Sequence, residues 1–226
     1  MSSSTSSFDS EEMLKRLLGN SDRAPERERM VTEQIQRRGV KDPRVLRAMR
    51  AIPRHAFIPG NLQSEAYEDH PVSIGEGQTI SQPYIVAYMT ELLEVKPGHS
   101  ILEIGTGCGY QTAVLAILSA EVYTIEIIAS LQQTARQTLH ALGFENIDFY
   151  CGDGSSGWPQ KRTFDRIIVT AAPPTIPQEL VNQLAESGKM VIPVGEMQQD
   201  LTVMRRSNGH LSEEKVLPVR FVPITH

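Results

Sequence analysis

The chain has 226 residues, of which 40% are hydrophobic and 22% are charged, and its formal net charge is −5. This length and apolar fraction are enough for one buried core. The negative charge argues against a dedicated nucleic-acid-binding protein, which needs a basic surface to neutralise phosphates. No apolar run approaches the ~20 residues that cross a bilayer, and residues 1–22 contain no signal-peptide core. We therefore expect a soluble cytoplasmic protein without nucleic-acid or membrane partners.

The two cysteines, Cys108 and Cys151, are too few for a disulfide framework. Neither stands in the Cys-x-x-Cys spacing that is typical of a metal site. Both come at or just after the ends of predicted strands. We expect reduced thiols and no bound metal.

The N-terminal quarter of the chain is predicted to be a polar extension followed by two short helices. Residues 1–22 are serine-rich and polar, which predicts a disordered extension with at most a frayed helix over residues 13–18. Apolar residues recur at helical spacing on both sides of Gly39, and Asp42-Pro43 is typical of a helix start, so two short helices follow. Basic residues outnumber acidic ones between Arg23 and Arg50. This surplus indicates either a surface for an acidic partner or the solvated face of these helices.

The remainder of the chain alternates between strand and helix patterns. A glycine-containing turn over residues 75–83 leads into an apolar helix that Lys96-Pro97-Gly98 ends. Strands are predicted over residues 100–104, 121–126, 147–151, 164–170, 188–193, 200–206 and 216–223, and helices over 110–118, 128–142 and 176–185. Such alternation predicts an α/β fold, a mostly parallel doubly wound sheet with helices on both faces. The pattern leaves the strand order open.

A glycine motif follows the first of these strands, in the run Gly105-Thr106-Gly107-Cys108-Gly109. Glycine there lets a strand turn sharply into a helix and lets a ligand approach the main chain. In a dinucleotide-binding fingerprint the third glycine comes one residue later, where it helps to seat a pyrophosphate. The loop therefore suits a nucleoside without phosphates. It resembles the first motif of class I S-adenosylmethionine-dependent methyltransferases.

Two further strand ends agree with a nucleoside pocket. Glu126 ends the second strand, about twenty residues after the first glycine, where such folds place an acid that accepts hydrogen bonds from both ribose hydroxyls. Asp153 stands between Gly152 and Gly154 after the third strand and suits an adenine pocket, although an ordinary Asp-Gly turn has the same sequence.

The fourth strand leads into Ala171-Ala172-Pro173-Pro174, which bears on the acceptor of the methyl group. Amino-methylating enzymes of similar layout carry Asn or Asp before the Pro-Pro pair, because an amine needs an acceptor to align its lone pair. Ala172 has no such group. A carboxylate, with a pKa near ~4, is already ionised at neutral pH and needs no base, so the motif favours a carboxylate as the methyl acceptor.

Ser81 is the remaining candidate, in the run Thr79-Ile80-Ser81-Gln82-Pro83. It stands where a helix N-cap is expected, so a purely structural role is one reading. The other is that its hydroxyl donates to a carboxylate oxygen and orients it toward the methyl group.

The motifs taken together resemble the protein-L-isoaspartate O-methyltransferase family. The resemblance extends from Met30 to Thr225. It rests on residues 66–93 with Pro71 to Pro83, the glycine motif with Tyr110-Gln111-Thr112-Ala113, Gly152-Asp153-Gly154, Phe164-Asp165, Thr170-Ala171-Ala172-Pro173 and Phe221-Val222-Pro223-Ile224. It implies one Rossmann-like methyltransferase domain over residues 23–226, with a substrate-side helical segment over 23–95 and a cofactor-binding core over 96–226.

The resemblance also implies an activity, which is methylation of the free α-carboxylate of L-isoaspartyl residues in damaged proteins. The cofactor is S-adenosylmethionine, the product is S-adenosylhomocysteine, and loss of the ester then gives a succinimide whose hydrolysis partly restores the aspartyl linkage. Ser81 is then the active-site serine. The residues expected to bind the cofactor are Gln78, Thr79, Ile80, Gly105, Thr106, Gly107, Glu126, Asp153, Gly154 and Thr225. Cys108 departs from the serine that many members carry.

Two other functions stay open at this stage. Methylation of RNA or of a small molecule is weakened by the acidic chain and by the absence of Asn/Asp-Pro-Pro-Tyr. A cofactor-binding regulatory module without turnover is favoured only by the charged N-terminal extension. For the repair enzyme we expect a monomer whose partners are isoaspartyl-containing proteins.

Overall fold

The computed structural model describes residues 8–225, and the predicted disorder of residues 1–7 lies outside that range. Its main element is a seven-stranded sheet in the order β5-β4-β3-β6-β7-β8-β9. The strands are β3 (Ser100–Ile104), β4 (Glu121–Glu126), β5 (Ile147–Cys151), β6 (Phe164–Val169), β7 (Leu184–Val194), β8 (Gln199–Ser207) and β9 (His210–Val219). Neighbouring strands from β5 to β7 in this order are parallel, and the pairs β7–β8 and β8–β9 are antiparallel. The predicted Rossmann-like fold class is confirmed.

The last two strands follow each other as a hairpin, which is why the sheet ends in a simple sequential order. Asn208 and Gly209 join them with φ of 52° and 75°, the conformation that a two-residue hairpin turn requires. The sequence prediction placed the last strand at residues 216–223, too late in the chain. Asn-Gly between two alternating runs was the signal that it passed over.

Helices cover both faces of the sheet. They are α1 (Ser10–Leu18), α2 (Ala24–Arg29), α3 (Pro43–Ala51), α4 (Pro83–Leu93), α5 (Tyr110–Leu118), α6 (Ala129–Ala141) and α7 (Gln178–Asn182). Ile101 of β3 belongs to the larger apolar cluster with α1, α3, α4 and α5, whereas its neighbour Leu102 belongs to a second cluster with α7 and Trp158. This alternation follows from the two-residue period of a strand.

Helix α7 is shorter than the predicted helix over residues 176–185. Leu184 pairs with Phe164 as the first residue of β7, and the amide of Phe164 donates to the carbonyl of Gln183 at 2.8 Å. Pairing with the sheet therefore ends the helix at Asn182.

Residues 10–18 form α1, which starts earlier than the frayed helix predicted over residues 13–18 and is capped and packed. The Asp9 carboxylate caps this helix by accepting from the amides of Glu11 and Glu12 at 2.9 and 3.1 Å. Met13, Leu14 and Leu17 lie on one helix face and are buried in the larger cluster. The serine-rich composition hid this short apolar stripe.

The two predicted helices on either side of Gly39 are present. Helix α2 continues through a π-helical turn, Met30–Ile35, and a 3₁₀ turn, Gln36–Arg38, and α3 begins after Asp42. Most of their basic side chains have internal acidic partners, in the pairs Arg23–Glu26, Arg38–Asp69, Arg44–Asp42, Arg47–Glu11 and Arg50–Glu28. This pairing favours the solvated-helix reading over a surface for an acidic partner.

A small hairpin precedes α4. Strands β1 (Val72–Gly75) and β2 (Gln78–Ile80) are antiparallel, and the turn residues Glu76 and Gly77 have φ of 52° and 70°. The sequence indicated only a turn in this stretch. No helix among residues 8–225 is long and apolar enough to cross a membrane.

Candidate active site

A cavity of about 910 Å³, counting its open mouth, lies at the carboxyl ends of β3, β4 and β6. Ligand sites of α/β folds form at this edge. The lining residues include Gln78, Thr79, Ile80, Ser81, Gly105, Thr106, Gly107, Glu126, Gly154 and Thr225. Every predicted site residue except Asp153 is therefore part of one wall or another of this cavity.

The glycine loop is shaped by close backbone packing. Gly105 has φ of 94°, and a Cβ at this position would overlap the Thr170 hydroxyl oxygen. That hydroxyl lies 3.0 Å from the Ile104 carbonyl oxygen and 2.8 Å from that of Gly105. A left-handed conformation without a side chain is thus required where β3 turns toward α5.

Glu126 lies in the cavity wall with both carboxylate oxygens already engaged. One oxygen accepts from the Gly107 amide at 2.8 Å, and the other accepts from the Ile128 amide at 3.0 Å. The residue is only 7% exposed. Each oxygen keeps a further lone pair, so the carboxylate is held in one orientation and can still accept from a ligand hydroxyl.

A buried carboxyl lies beneath the same loop at Glu103, to which the sequence prediction gave no role. One of its oxygens accepts from the hydroxyls of Thr112 and Thr124 at 2.6 and 2.7 Å. The Thr124 hydroxyl is also 2.7 Å from that of Thr106 in the cavity wall. Burial raises the pKa of Glu103 to about 8. A sequence signal for this buried carboxyl exists: Glu103 stands near the end of an apolar strand, and threonines occur on the following helix and strand.

Ser81 follows β2 directly and is half-buried in the cavity wall. It does not cap α4, because Gln82 is the N-cap residue and no side chain makes the capping hydrogen bond. The N-cap interpretation of Ser81 is therefore wrong, and Ser81 lines the cavity.

Asp153 stands beside the cavity. Its carboxylate accepts from the Ser155 amide at 2.8 Å and caps the 3₁₀ turn Gly154–Ser156. The next residue, Gly154, is the one that lines the cavity. Contact between Asp153 and an adenine amine stays a prediction.

The C-terminal segment, residues 222–225, forms one wall of the cavity, of which the sequence predicted only Thr225. The Ala172 amide donates to the Val222 carbonyl at 2.8 Å, and the Ile224 amide donates to the Ala172 carbonyl at 3.0 Å. This parallel bridge sets Val222, Pro223 and Ile224 into the cavity wall beside Thr225. Ala172, buried and without a polar side chain, lies where the motif predicted it, after β6.

The part of the wall that α4 forms is apolar, and its helical pattern indicates only a buried face, not a ligand contact. Ile85, Val86 and Met89 of this helix line the cavity. Cys108 also lines it and has a thiol whose pKa burial raises to about 11, so little thiolate exists at neutral pH. Among residues 8–225 there is no group of three His, Cys, Asp or Glu side chains that could hold a metal ion.

Comparison with known proteins points to one family. Residues 25–226 match the family model described as protein-L-isoaspartate(D-aspartate) O-methyltransferase. A protein-L-isoaspartate O-methyltransferase of Picosynechococcus sp. is 52% identical over 198 residues, which is 88% of this chain and 89% of the relative. That of Methanoregula boonei is 51% identical over 203 residues, 89% of this chain and 94% of the relative.

Among solved structures, a putative protein-L-isoaspartate O-methyltransferase from Plasmodium falciparum, in complex with S-adenosyl-L-homocysteine, superposes with a TM-score of 0.78. It is 28% identical, and the match covers 88% of this chain and 98% of the other. The family model, the relatives and the shared architecture agree with the resemblance read from the motifs. The chain belongs to the protein-L-isoaspartate(D-aspartate) O-methyltransferase family.

Proposed function

We propose that this chain methylates the free α-carboxylate of L-isoaspartyl residues in damaged proteins, and that the cavity between the glycine loop, β2 and the C-terminal segment is its active site. The observation that carries the proposal is that Ser81 and Glu126 line one cavity. Ser81 can donate a hydrogen bond to the substrate carboxylate, and Glu126 can accept hydrogen bonds from the ribose of the cofactor.

S-adenosylmethionine supplies an electrophilic methyl group and leaves as S-adenosylhomocysteine. Two features of the chain fit this cofactor. The glycine loop lines the cavity together with the end of β4, and the Glu126 carboxylate is fixed by the Gly107 and Ile128 amides. Glu126 accepts hydrogen bonds from the ribose hydroxyls, and Gly154 lies beside the adenine.

The acceptor side of the cavity needs positioning more than acid-base chemistry. An α-carboxylate is ionised at neutral pH, and Ala172 offers it no base. Ser81 donates its hydroxyl to one carboxylate oxygen and leaves the other aimed at the methyl carbon. A new C–O bond forms as the C–S bond breaks, and the sulfur keeps the electron pair. The rate gain then comes from alignment and from exclusion of water by Ile85, Val86 and Met89.

The test is methyl transfer from labelled S-adenosylmethionine to two peptides that differ only in an isoaspartyl or a normal aspartyl linkage. We expect label on the isoaspartyl peptide alone. Equal labelling, or labelling of neither peptide, contradicts the proposed substrate. Cofactor binding without methylated product on any peptide would instead favour a regulatory module.

Residues 23–95 are proposed to face the substrate and residues 96–226 to bind the cofactor, within one domain that acts as a monomer in the cytoplasm. This division is supported by Ser81 of the first part, which lines the same cavity as Gly105 and Glu126 of the second part. Light scattering of the purified chain tests the monomer, and a dimer mass contradicts it.

A further inference from the structure

The open end of the β1–β2 hairpin lies next to Ser81. Val72 of β1 pairs with Ile80 of β2, so the residues before β1 and after β2 leave the hairpin side by side. Ser81 is the first residue after β2, and α4 begins two residues later. The orientation of Ser81 therefore depends on what holds the two chain ends together.

Gln82 makes that connection. Its side chain, although Gln82 is the N-cap residue, makes no capping hydrogen bond to α4. Instead, its amide nitrogen donates to the Asp69 backbone carbonyl at 3.0 Å and to the Asp69 carboxylate at 2.8 Å. The hairpin is closed at its base by this contact between residues 69 and 82.

Asp69 is itself held by Arg38. The guanidinium donates to the Asp69 carboxylate at 3.2 Å, and its central carbon lies 3.7 Å from the ring centroid of Tyr84. Tyr84 belongs to the first turn of α4. Arg38 thus ties the helix start to the same carboxylate that holds Gln82. Ser81 lies between Ile80, which is paired in the hairpin, and Gln82, which is held by Asp69.

This arrangement is exposed, which bears on its purpose. The side chains of Arg38 and Asp69 are each 42% exposed, and ion pairs of this kind contribute little to folding stability. A small displacement of a reacting group, in contrast, has a large effect on rate. The contacts are therefore better suited to fixing a position than to stabilising the fold.

We propose that Asp69 is a positioning residue for methyl transfer, which holds Gln82 and thereby fixes the peptide unit that carries Ser81. The inference rests on the proposed role of Ser81. Asp69 lies outside the cavity wall and acts only through its neighbours. Its loss affects the acceptor side of the reaction and leaves cofactor binding intact.

The experiment is a double-mutant cycle of Asp69→Ala and Ser81→Ala, with kcat and KM measured on an isoaspartyl peptide. Asp69→Ala should lower kcat at least fivefold and leave the dissociation constant of S-adenosylhomocysteine unchanged within twofold. In the Ser81→Ala background the same change should have no further effect, because residues that act through one another are not additive. Gln82→Met keeps the side-chain length and removes both hydrogen bonds to Asp69, so it should lower kcat at least as much as Asp69→Ala, which leaves the bond to the backbone carbonyl.

Two variants serve as references. Asp69→Asn keeps an oxygen that accepts from Gln82 and should retain most of the activity. Glu11→Ala breaks the Arg47–Glu11 ion pair, which has a distance of 3.0 Å and is similarly exposed, and it should leave kcat unchanged. The Glu11→Ala variant therefore shows how the loss of an exposed ion pair elsewhere affects kcat.

Unchanged kcat in Asp69→Ala, or an equal loss in both backgrounds, overturns the positioning role. If Ser81→Ala leaves turnover unchanged, the role of Ser81 fails instead. The two failures are therefore distinguishable.

Discussion

The carboxylate of Glu126 accepts a hydrogen bond of 2.8 Å from the backbone amide of Gly107. This contact joins the end of β4 to the glycine loop, so the two parts of the nucleoside pocket are fixed relative to each other by the chain itself. A ligand that binds Glu126 meets a carboxylate whose orientation is already set, which lowers the entropy lost on binding.

Replacing Glu126 by alanine should raise the cofactor dissociation constant roughly 10- to 100-fold, as expected for the loss of charge-assisted hydrogen bonds. Isothermal titration with S-adenosylhomocysteine measures this. Glu121→Ala, at the opposite end of the same strand and exposed to solvent, is the matched control and should bind normally. Unchanged affinity in Glu126→Ala contradicts the ribose role.

Replacing Ser81 by alanine should lower kcat by about tenfold or more, because a hydrogen bond to a charged group contributes about 1.5–3 kcal/mol and each 1.4 kcal/mol is roughly tenfold in rate. The melting temperature should stay nearly constant, because Ser81 caps no helix. Turnover of the isoaspartyl peptide and thermal unfolding are measured on the same preparation. Ser73→Ala, in the exposed face of the same hairpin, is the control. A large stability loss with normal turnover is the contrary result.

Gly105→Ala and Gly39→Ala separate backbone strain from steric overlap. Both glycines have positive φ, 94° and 102°. A Cβ at Gly39 meets nothing within 4 Å, whereas one at Gly105 overlaps the Thr170 hydroxyl. Gly39→Ala should therefore cost only about 1 to 2 kcal/mol of unfolding free energy, and Gly105→Ala should cost more and also weaken cofactor binding. Urea denaturation and titration compare them, and equal losses would exclude the overlap.

Glu103 should make stability depend on pH. Its pKa rises from an ordinary 4.5 to about 8 on folding, so between these values the folded state binds the extra proton. The contribution of Glu103 to the free energy of unfolding is then largest below pH 4.5 and falls as pH rises toward 8, by at most about 1.4 kcal/mol per pH unit.

Glu103→Gln cannot titrate, so its stability relative to the original chain should increase as pH rises from 5 to 8 and stay constant above that range. Urea denaturation at several pH values measures the difference. The exposed Glu145→Gln serves as the control and should follow the original chain. Parallel curves for Glu103→Gln and the original chain would show that the carboxyl is not buried as described.

The central strands could be predicted because local pattern and tertiary role agree there. Buried parallel strands such as Ser100–Ile104 read as apolar runs, and the acid or glycines at their ends follow from the ligand edge of the sheet. The early part of β7 could not be predicted. Leu184 has helix-compatible neighbours, and only its pairing with Phe164 makes it a strand residue.

The candidate site also has a part that the sequence predicts and a part that depends on tertiary contacts. Residues attached to strand ends, such as Gly105 and Glu126, were found from spacing. The apolar wall from Met89 and the C-terminal wall from Val222 depend on contacts between distant parts of the chain, which no local pattern contains. The helix over residues 10–18 likewise depends on distant contacts, because its short apolar stripe is ordered by the core that it covers.

The bridge between Ala172 and residues 222–224 has a consequence for biosynthesis. The segment that completes the cavity is translated more than a hundred residues after the glycine loop. A nascent chain that has already formed β3 and β4 therefore has Glu126 and the glycine loop in place but lacks one wall of the cavity. We expect full activity only when translation has passed this segment and it has docked. A fusion partner attached close behind residue 225 would interfere at this step.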